Sequence, residues 1–583
     1  MTKNPSLRQL TSSYRLRSAQ TLRASIVLVS GLLFTTAFAQ DAAPPPIEIG
    51  VDASASSGTL PRTWTYFGYD EPNFTYSANG KKLLGELMEL SPAPVYIRTH
   101  NLLTSGDGKG SLKWGSTNAY TEDAKGNPVY DWTVVDRIFD AYRDAGVRPL
   151  VEIGFTPEAM TTGPAPYRHS FPQGSVFTGW TYPPKDYAKW GELVFQFAKH
   201  LRARYGDAAT QTWLWEVWNE PDIGYWHGTP EEYFKLYDYA ADAVRRAVPN
   251  ARVGGPETTG PTNDKAAGFL HAFLDHCAHG KNAATGKTGA PLAFISFHPK
   301  GSPKWIGDPT TGHVQMGPGN QLSAIDRGFK VVASFPEWRK TPIIMGEWDP
   351  EGCAACSAKG NPQNGYRNGP LYAAYTALAY KSTVELAERD GVNLAGTVTW
   401  AFQFDDQPYF EGLRELATNG LDKPVLNSFR LFGLLGTTRL PVNSPQAIPV
   451  AQIETSGVRS QPDIDALATR KEREVEVLLM NYHDDDLPAP SADLRLTVKG
   501  VPKEIKRVLI ETFRVDAAHS NSFTAWKQMG SPQQPAPDQY KALEAAGQLQ
   551  TDGSPEWRDV ASDGLHLPLN LPRQGLALVR ISW

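Results

Sequence analysis

Trp213-Leu-Trp-Glu-Val-Trp-Asn-Glu-Pro-Asp222 decides the reading of this sequence. It is an apolar run of strand length that breaks off at Asn219-Glu220-Pro221, so two polar groups stand where a buried strand opens to solvent, and Pro221 stops the strand. A carboxyl group beside Trp218 and near a second carboxyl is expected to keep its proton to higher pH, as a general acid requires. A glutamate that only caps the following helix is the structural alternative.

A second stretch, Pro342-Ile-Ile-Met-Gly-Glu-Trp-Asp-Pro350, repeats the pattern: a buried strand that ends in a carboxylate, Glu347. Around these two, short apolar runs alternate with amphipathic helices from about residue 61 to 435, which predicts a parallel α/β architecture. Candidate strands end at Tyr69, His100, Phe155, Glu220, Glu257, His298, Glu347 and Phe404, eight in all. The intervening helices carry clear signals. Val134, Ile138, Phe139 and Tyr142 share a face between Asp131 as N-cap and Gly146 as C′ residue; Trp190, Leu193, Val194, Phe197 and Leu201 form a stripe; Thr229-Pro-Glu-Glu232 opens a third helix with a capping box. Connections into strands are short and those leaving them are long, as in 101–130, 156–185 and 299–321. That asymmetry belongs to a (β/α)8 TIM barrel whose post-strand loops wall one mouth.

In such a barrel the fourth and seventh strands face each other across the mouth. Two carboxyl groups about 5 Å apart there permit double displacement at a sugar's anomeric carbon, one attacking while the other protonates the leaving oxygen. Asn219 would then meet the sugar 2-hydroxyl, a contact that strengthens as the oxocarbenium ion forms. After about residue 436 alternating strands such as 474–480 and 578–582 predict a C-terminal β-sandwich. The expected organisation is therefore 1–39 signal peptide, 40–60 linker and N-terminal strand joining the sandwich, 61–435 barrel, and 436–583 sandwich.

The 583 residues carry a formal charge of −5, and no Lys/Arg run offers a footprint for nucleic acid. Aromatics make up 11% of the chain, many of them in Gly/Pro-rich loops, where exposed rings suit the C–H faces of sugars. Arg8, Arg15, Arg17 and Arg23 precede the apolar run 25–34 and the triplet Ala37-Phe-Ala39, a secretory leader cut near Ala39. That run is shorter than the ~20 residues that span a bilayer, so no membrane association is expected after cleavage, and the mature protein is expected to be exported, periplasmic or extracellular. Of three cysteines, Cys353 and Cys356 form a C-x-x-C that reads equally as a loop disulfide or as two thiols; a zinc site would need two further ligands.

Trp218-Asn-Glu-Pro221 and Gly346-Glu-Trp348 resemble the clan of (β/α)8 glycosidases with catalytic glutamates on strands four and seven. Within it the chain resembles glycoside hydrolase family 39, the family of β-xylosidases and α-L-iduronidases. Further matching segments are Val95-Tyr-Ile-Arg-Thr-His100, Tyr130-Asp-Trp-Thr-Val-Val-Asp136, Glu152-Ile-Gly-Phe155, Gly254-Gly-Pro256, Ile295-Ser-Phe-His298 and His519-Ser-Asn-Ser-Phe-Thr-Ala-Trp526, so both domains are covered. The resemblance implies that Glu220 is the acid/base and Glu347 the nucleophile, and that His100, Asn219 and His298 line the subsite of the cleaved sugar.

Each neighbour also has a plainer reading. His100 and His298 could simply close the barrel top, Trp400 is a stacking floor or core packing, and Phe155 is a contact or core. Asp484-Asp-Asp486 after His483 suggests a metal but reads better as a solvated turn. Where many β-xylosidases of the family carry an aromatic residue two positions after the sixth-strand histidine, this chain has Lys300. The iduronidases resemble it there and at Glu347-Trp-Asp349-Pro350. A lysine aimed at the ring substituent suits a uronic acid; otherwise it bonds hydroxyls or a loop carbonyl. The expected function is a retaining exo-β-D-xylosidase acting on xylo-oligosaccharides, with no metal or cofactor. The alternatives are a uronidase or arabinosidase of the family, or a non-catalytic carbohydrate-binding protein. The oligomeric state is not legible.

Overall fold

The structure, a computed structural model, describes residues 45–583; the leader expected over 1–39 lies outside the described residues. Eight parallel strands close a barrel in the order of the chain: β1 (Tyr66–Tyr69), β2 (Tyr96–Thr99), β3 (Arg148–Ile153), β4 (Leu214–Val217), β5 (Arg252–Thr258), β6 (Phe294–Phe297), β7 (Pro342–Met345) and β8 (Asn393–Thr399). Side chains alternate between the two faces of each strand. Tyr66, Tyr96, Leu150, Leu214, Phe294, Ile344 and Val398 share one apolar cluster with Trp400, the rings of Tyr66 and Tyr96 stacked at 4.8 Å. The alternate positions, such as Phe67, Ile97, Val151, Trp215 and Ile295, belong to the larger cluster shared with the helices.

Those helices form as their periodicity predicts. Helix Tyr187–Tyr205 buries Trp190, Leu193, Val194, Phe197 and Leu201, each contributing about 1.5–3 kcal/mol. Thr229 caps helix Pro230–Ala247, its hydroxyl accepting from the Glu232 amide while Glu232 Oε2 accepts from the Thr229 amide. Helix Thr133–Ala145 starts one residue later than a cap at Asp131 would give, and Trp132 takes the capping position. The Asp131 carboxylate still accepts from the Thr133 amide at 2.9 Å.

Two expectations need correction. The eighth strand stops at Thr399 rather than Phe404, because the Trp400 amide turns to Asp349 Oδ1 at 2.9 Å and the Ala401 amide to the Thr399 carbonyl, which ends the ladder. The run Asp484-Asp-Asp486 is solvated only in part: Asp486 is exposed and Asp485 partly so, but Asp484 is not. Asp484 is fully buried and accepts from the Val458 amide and Tyr482 hydroxyl, while its carbonyl takes the Met316 amide. Asp485 accepts from Gln315 Nε2 and pairs with His313, and the Asp486 amide reaches the Val314 carbonyl. The run thus clasps the hairpin of Lys304–Ile306 and His313–Gln315 that follows β6.

The C-terminal region has two sheets. Strand Ile47–Asp52 runs parallel to Ala492–Lys499 in a four-stranded sheet, and Asp463–Arg470, Glu474–Tyr482, Gly575–Ser582 and Arg507–Val515 are consecutive in an eight-stranded one. Ile49, Leu496, Val477 and Val579 share the core between them. Helices Ser522–Gln528 and Pro537–Gly547 interrupt the sheet, where Trp526 and Leu543 pack on Phe410 and Leu421 of the segment after β8.

Candidate active site

The barrel interior becomes charged one layer nearer the mouth than its apolar cluster. Arg98, two residues beyond Tyr96, is fully buried and pairs with Glu152 Oε2 at 2.8 Å and Glu216 Oε2 at 2.5 Å. Its Nη2 also donates to Asn219 Oδ1 at 3.1 Å, and Nη1 lies 3.7 Å from Glu347 Oε1. A buried guanidinium persists only when its charge and donors are met. Burial and the nearby Glu257 and Glu152 keep the Glu216 carboxyl protonated well above the usual range despite Arg98. Glu257 is the ionised partner: against burial, Arg98 and His298 pull it down to about 2. Gly346 makes room for this layer, since a methyl there would come within 2.1 Å of Glu257 Oε2; Gly68 does the same for the Trp400 ring.

Glu220 sits three residues past β4 on a backbone that few non-glycine residues adopt. Trp218 has φ 75° and Glu220 φ 45°, and at the end of the neighbouring β5 Glu257 has φ 57°. Such strain is held only where the surroundings over-determine it. The Glu220 amide donates to the Glu257 carbonyl at 2.8 Å, Trp218 Nε1 to the Tyr225 carbonyl at 2.9 Å, and Asp222 accepts from the Thr259 amide at 2.8 Å. The turn that carries Glu220 is therefore locked to β5. The Trp218 ring points into this packing, T-shaped to Phe155 and Trp226.

Glu347, two residues past β7, faces Glu220, and an oxygen of each lies within 4.8 Å of the other and of His298 Nδ1. Four basic side chains surround Glu347. Lys300 Nζ donates to Oε2 at 2.6 Å; His100 Nε2, His298 Nδ1 and Arg98 Nη1 lie 3.5, 3.7 and 3.7 Å from Oε1. Burial opposes its ionisation, but Lys300, His298 and His100 hold the Glu347 carboxyl well below the usual range. Glu220 keeps more contact with solvent, 15% of its side chain against 7% for Glu347.

His298 joins the two halves. Its Nδ1 is 2.9 Å from Glu220 Oε1 and its Nε2 contacts Glu257 Oε2. Burial disfavours its charge, yet Glu347 and Glu257 raise it to about 9, so at neutral pH it is an imidazolium that donates from Nδ1 to Glu220 and forms an ion pair with Glu257. His100 Nδ1 meets Glu152 Oε2 at 2.6 Å. Burial is again outweighed, here by Glu152 and then Glu347, so its pKa is raised. Glu220, His298 and Glu347 have metal-ligand spacing, but Lys300 and the imidazolium already supply the positive charge the carboxylates need.

The sequence-predicted residues His100, Asn219, Glu220, His298, Lys300 and Glu347 thus converge. Asn219 Nδ2 is buried without a partner, and an unpaired buried donor costs about 1–3 kcal/mol, so an acceptor on a bound molecule would relieve it. Three calls change. Lys300 does not wait for a ring substituent: it bonds Glu347 and also Asp349 Oδ2 at 2.7 Å, because it bridges to Asp349 across neighbouring strand ends. Phe155 is core, with no exposed surface and its ring enclosed by those of His100, Trp180, Trp218 and Tyr225. Trp400, almost fully buried, packs 4.4 Å from His100 with Arg98 Cζ 4.9 Å from its ring, and so backs the site.

Arg98, Glu152, Glu216, Glu257 and Asp349 were missed. Their signal was a charge inside an otherwise apolar strand or, for Asp349, four residues past a strand end, which by itself does not name a partner. Cys353 and Cys356 are disulfide-bonded, and their carbonyls accept from Arg367.

One held carboxylate and a second, more accessible carboxyl at this spacing suit double displacement, for which about 5–5.5 Å is usual, and not the ~6.5–9.5 Å that admits an intervening water. A family model described as glycosyl hydrolases family 39 matches residues 47–559. A β-xylosidase of Caldicellulosiruptor saccharolyticus is 27% identical over 426 residues, 72% of this chain and 76% of its own. The α-L-iduronidase of Homo sapiens is 25% identical over 566 residues, 90% of this chain and 76% of its own. The solved structure of a monomeric β-xylosidase from Caulobacter crescentus CB15 has a TM-score of 0.70 at 22% identity, covering 92% of this chain and 99% of that one, a likeness of fold.

Proposed function

The chain belongs to glycosyl hydrolases family 39 and is a retaining glycoside hydrolase, and from that premise we propose that it is an exported exo-β-D-xylosidase in which Glu347 is the nucleophile and Glu220 the acid/base. The observation that carries the assignment is the asymmetry of the pair: Glu347 is held ionised by Lys300, while Glu220 lies nearer solvent with its oxygen within 4.8 Å.

In the first displacement a Glu347 oxygen forms a bond to the anomeric carbon as the glycosidic C–O bond breaks, and Glu220 gives its proton to the departing oxygen. In the second, Glu220 takes a proton from water, whose oxygen attacks the same carbon and returns Glu347 as carboxylate. Asn219 Nδ2 donates to a ring hydroxyl. Once Glu347 is esterified its negative charge is gone, so His298 loses the first of the anions that favour its own charge.

Xylose is favoured by the β-xylosidase relative and by Lys300, whose charge is already shared by two carboxylates, so a substrate carboxylate there would compete with both. A uronic acid is the second reading, favoured by the iduronidase relative and by Lys113, a buried cation 4.5 Å from the Trp114 ring centroid with Asp70 3.8 Å away. A panel of aryl glycosides tests this: the aryl β-D-xyloside should be turned over far faster than aryl uronides or arabinosides. A preference for the uronide that collapses in Lys113→Ala would overturn the xylose reading and leave the two glutamates in place. Export is supported by the leader and by the Cys353–Cys356 disulfide, which belongs in an oxidising compartment; cell fractionation tests it.

A further inference from the structure

Phe177 lies in the connection from β3 to helix Tyr187–Tyr205, and Tyr225 and His227 lie in the one from β4 to helix Pro230–Ala247. These two loops lean on each other. The His227 amide donates to the Thr181 carbonyl at 3.0 Å, and His227 stacks on Tyr182 at 4.4 Å with 5° between the rings. Phe177 is 38% exposed, and among the exposed large hydrophobic side chains of the described residues only it and Trp557 are aromatic. An isolated exposed ring needs no explanation, but this one is seated. Its edge lies against Gly224, where a methyl would come within 2.6 Å of Cδ2, and it packs T-shaped on Tyr225 at 5.2 Å. Tyr225 in turn touches Phe155 and Trp114 in the aromatic wall of the site.

His227 supplies a polar group beside that ring, 6.3 Å away and 64° inclined. The Thr181 hydroxyl spends its single proton on the Thr178 carbonyl at 2.8 Å, so it accepts from His227 Nδ1 at 2.8 Å. Nδ1 therefore carries the imidazole proton, and Nε2, with no partner among the described residues, is a lone-pair acceptor for a hydroxyl. An aromatic face with a hydroxyl acceptor at its side matches a pyranose, which has an apolar C–H face and equatorial hydroxyls.

The side of the site follows from the chemistry. A general acid stands by the leaving oxygen, so the departing unit must lie along the loop that carries Glu220, and Tyr225 and His227 follow Glu220 by five and seven residues. Resting on the reading of Glu220 given above, we propose that Phe177 and His227 form the subsite for the departing sugar unit, Phe177 as its stacking platform and His227 Nε2 as a hydroxyl acceptor.

The test compares a disaccharide with the glycosyl fluoride of whichever sugar the aryl panel identifies, because the fluoride has no departing sugar. Phe177→Ala should lose about three- to ten-fold more in kcat/KM on the disaccharide than on the fluoride, chiefly through KM, the scale of one aromatic contact. Phe177→Tyr, which keeps the ring, should restore most of it, and His227→Ala should show the same selective loss. Gly224→Ala, which displaces the ring without removing it, should follow Phe177→Ala. Equal losses on the two substrates, or none on either, would overturn the subsite. A parent protein that turns over no glycoside would instead remove the role of Glu220 on which the subsite rests.

Discussion

Replacing Lys300 with methionine removes the cation nearest Glu347 while keeping a stem of similar length. Its Nζ is 2.6 Å from Glu347 Oε2, whereas His100, His298 and Arg98 stand at 3.5 Å or more from the other oxygen. An opposite charge at close range lowers a carboxyl pKa by about 1–3 units, or about 1.4–4 kcal/mol between the two protonation states. Asp349, left with only the more distant Arg414 at 3.4 Å, pushes in the same direction. Because the nucleophile must be ionised, the acid limb of kcat/KM should move up by about 1–3 units in Lys300→Met. The loss should be greatest at low pH and shrink as pH rises. The assay is kcat/KM against pH on an activated aryl glycoside for both proteins, the limbs being read as properties of the coupled cluster. A loss of the same factor at every pH, with the acid limb unmoved, would refute the view that Lys300 acts by holding Glu347 ionised.

Glu220→Gln should flatten the alkaline limb on substrates with activated leaving groups, where no acid is needed; a limb that persists unchanged in the pH profile would assign the acid elsewhere. Gly346→Ala places a methyl within 2.1 Å of Glu257 Oε2, and overpacking of this kind should cost about 1–3 kcal/mol in denaturant unfolding; an unchanged midpoint would show the layer to be loosely packed. Stability should fall as pH rises from about 4 through about 7. Burial pushes Asp463 and Asp484 up to about 7 from an ordinary 3.8, so the folded state binds protons there that the unfolded state does not. His298, raised to about 9, extends the decline above neutrality. Melting temperatures at pH 5 and pH 8 check the sign, and Asp484→Asn should reduce the slope.

The barrel was legible because its strands are apolar runs of fitting length that end in a polar residue, a pattern imposed by two-sided burial. Glu220 and Glu347 stood out as the carboxylates at those ends. Their surroundings were not legible, because what fixes them is distant in sequence. Arg98 looks like any charge in a strand until Glu152, Glu216 and Glu257 close around it. Lys300 was found, but its partners were not: pairing it with Asp349 requires the neighbouring ends of β6 and β7. Trp400 to Phe404 keeps the apolar character of a strand, and only the capture of the Trp400 amide by Asp349 ends β8 earlier. Asp484 reads as solvated for the same reason: three consecutive aspartates suggest water, and the buried donors around Asp484 come from residues 458 and 482.

The assignment of the two glutamates is tested most directly by the anomeric configuration of the product when azide rescues each alanine variant on a substrate with a good leaving group. Glu347→Ala cannot form the covalent intermediate, so azide attacks the substrate itself and the glycosyl azide should carry inverted configuration. Glu220→Ala still forms the intermediate on Glu347, so azide attacks that and the product should keep the starting configuration. Inversion in Glu220→Ala with retention in Glu347→Ala would exchange the two roles, and rescue of neither variant would contradict the account of this pair as the reacting groups.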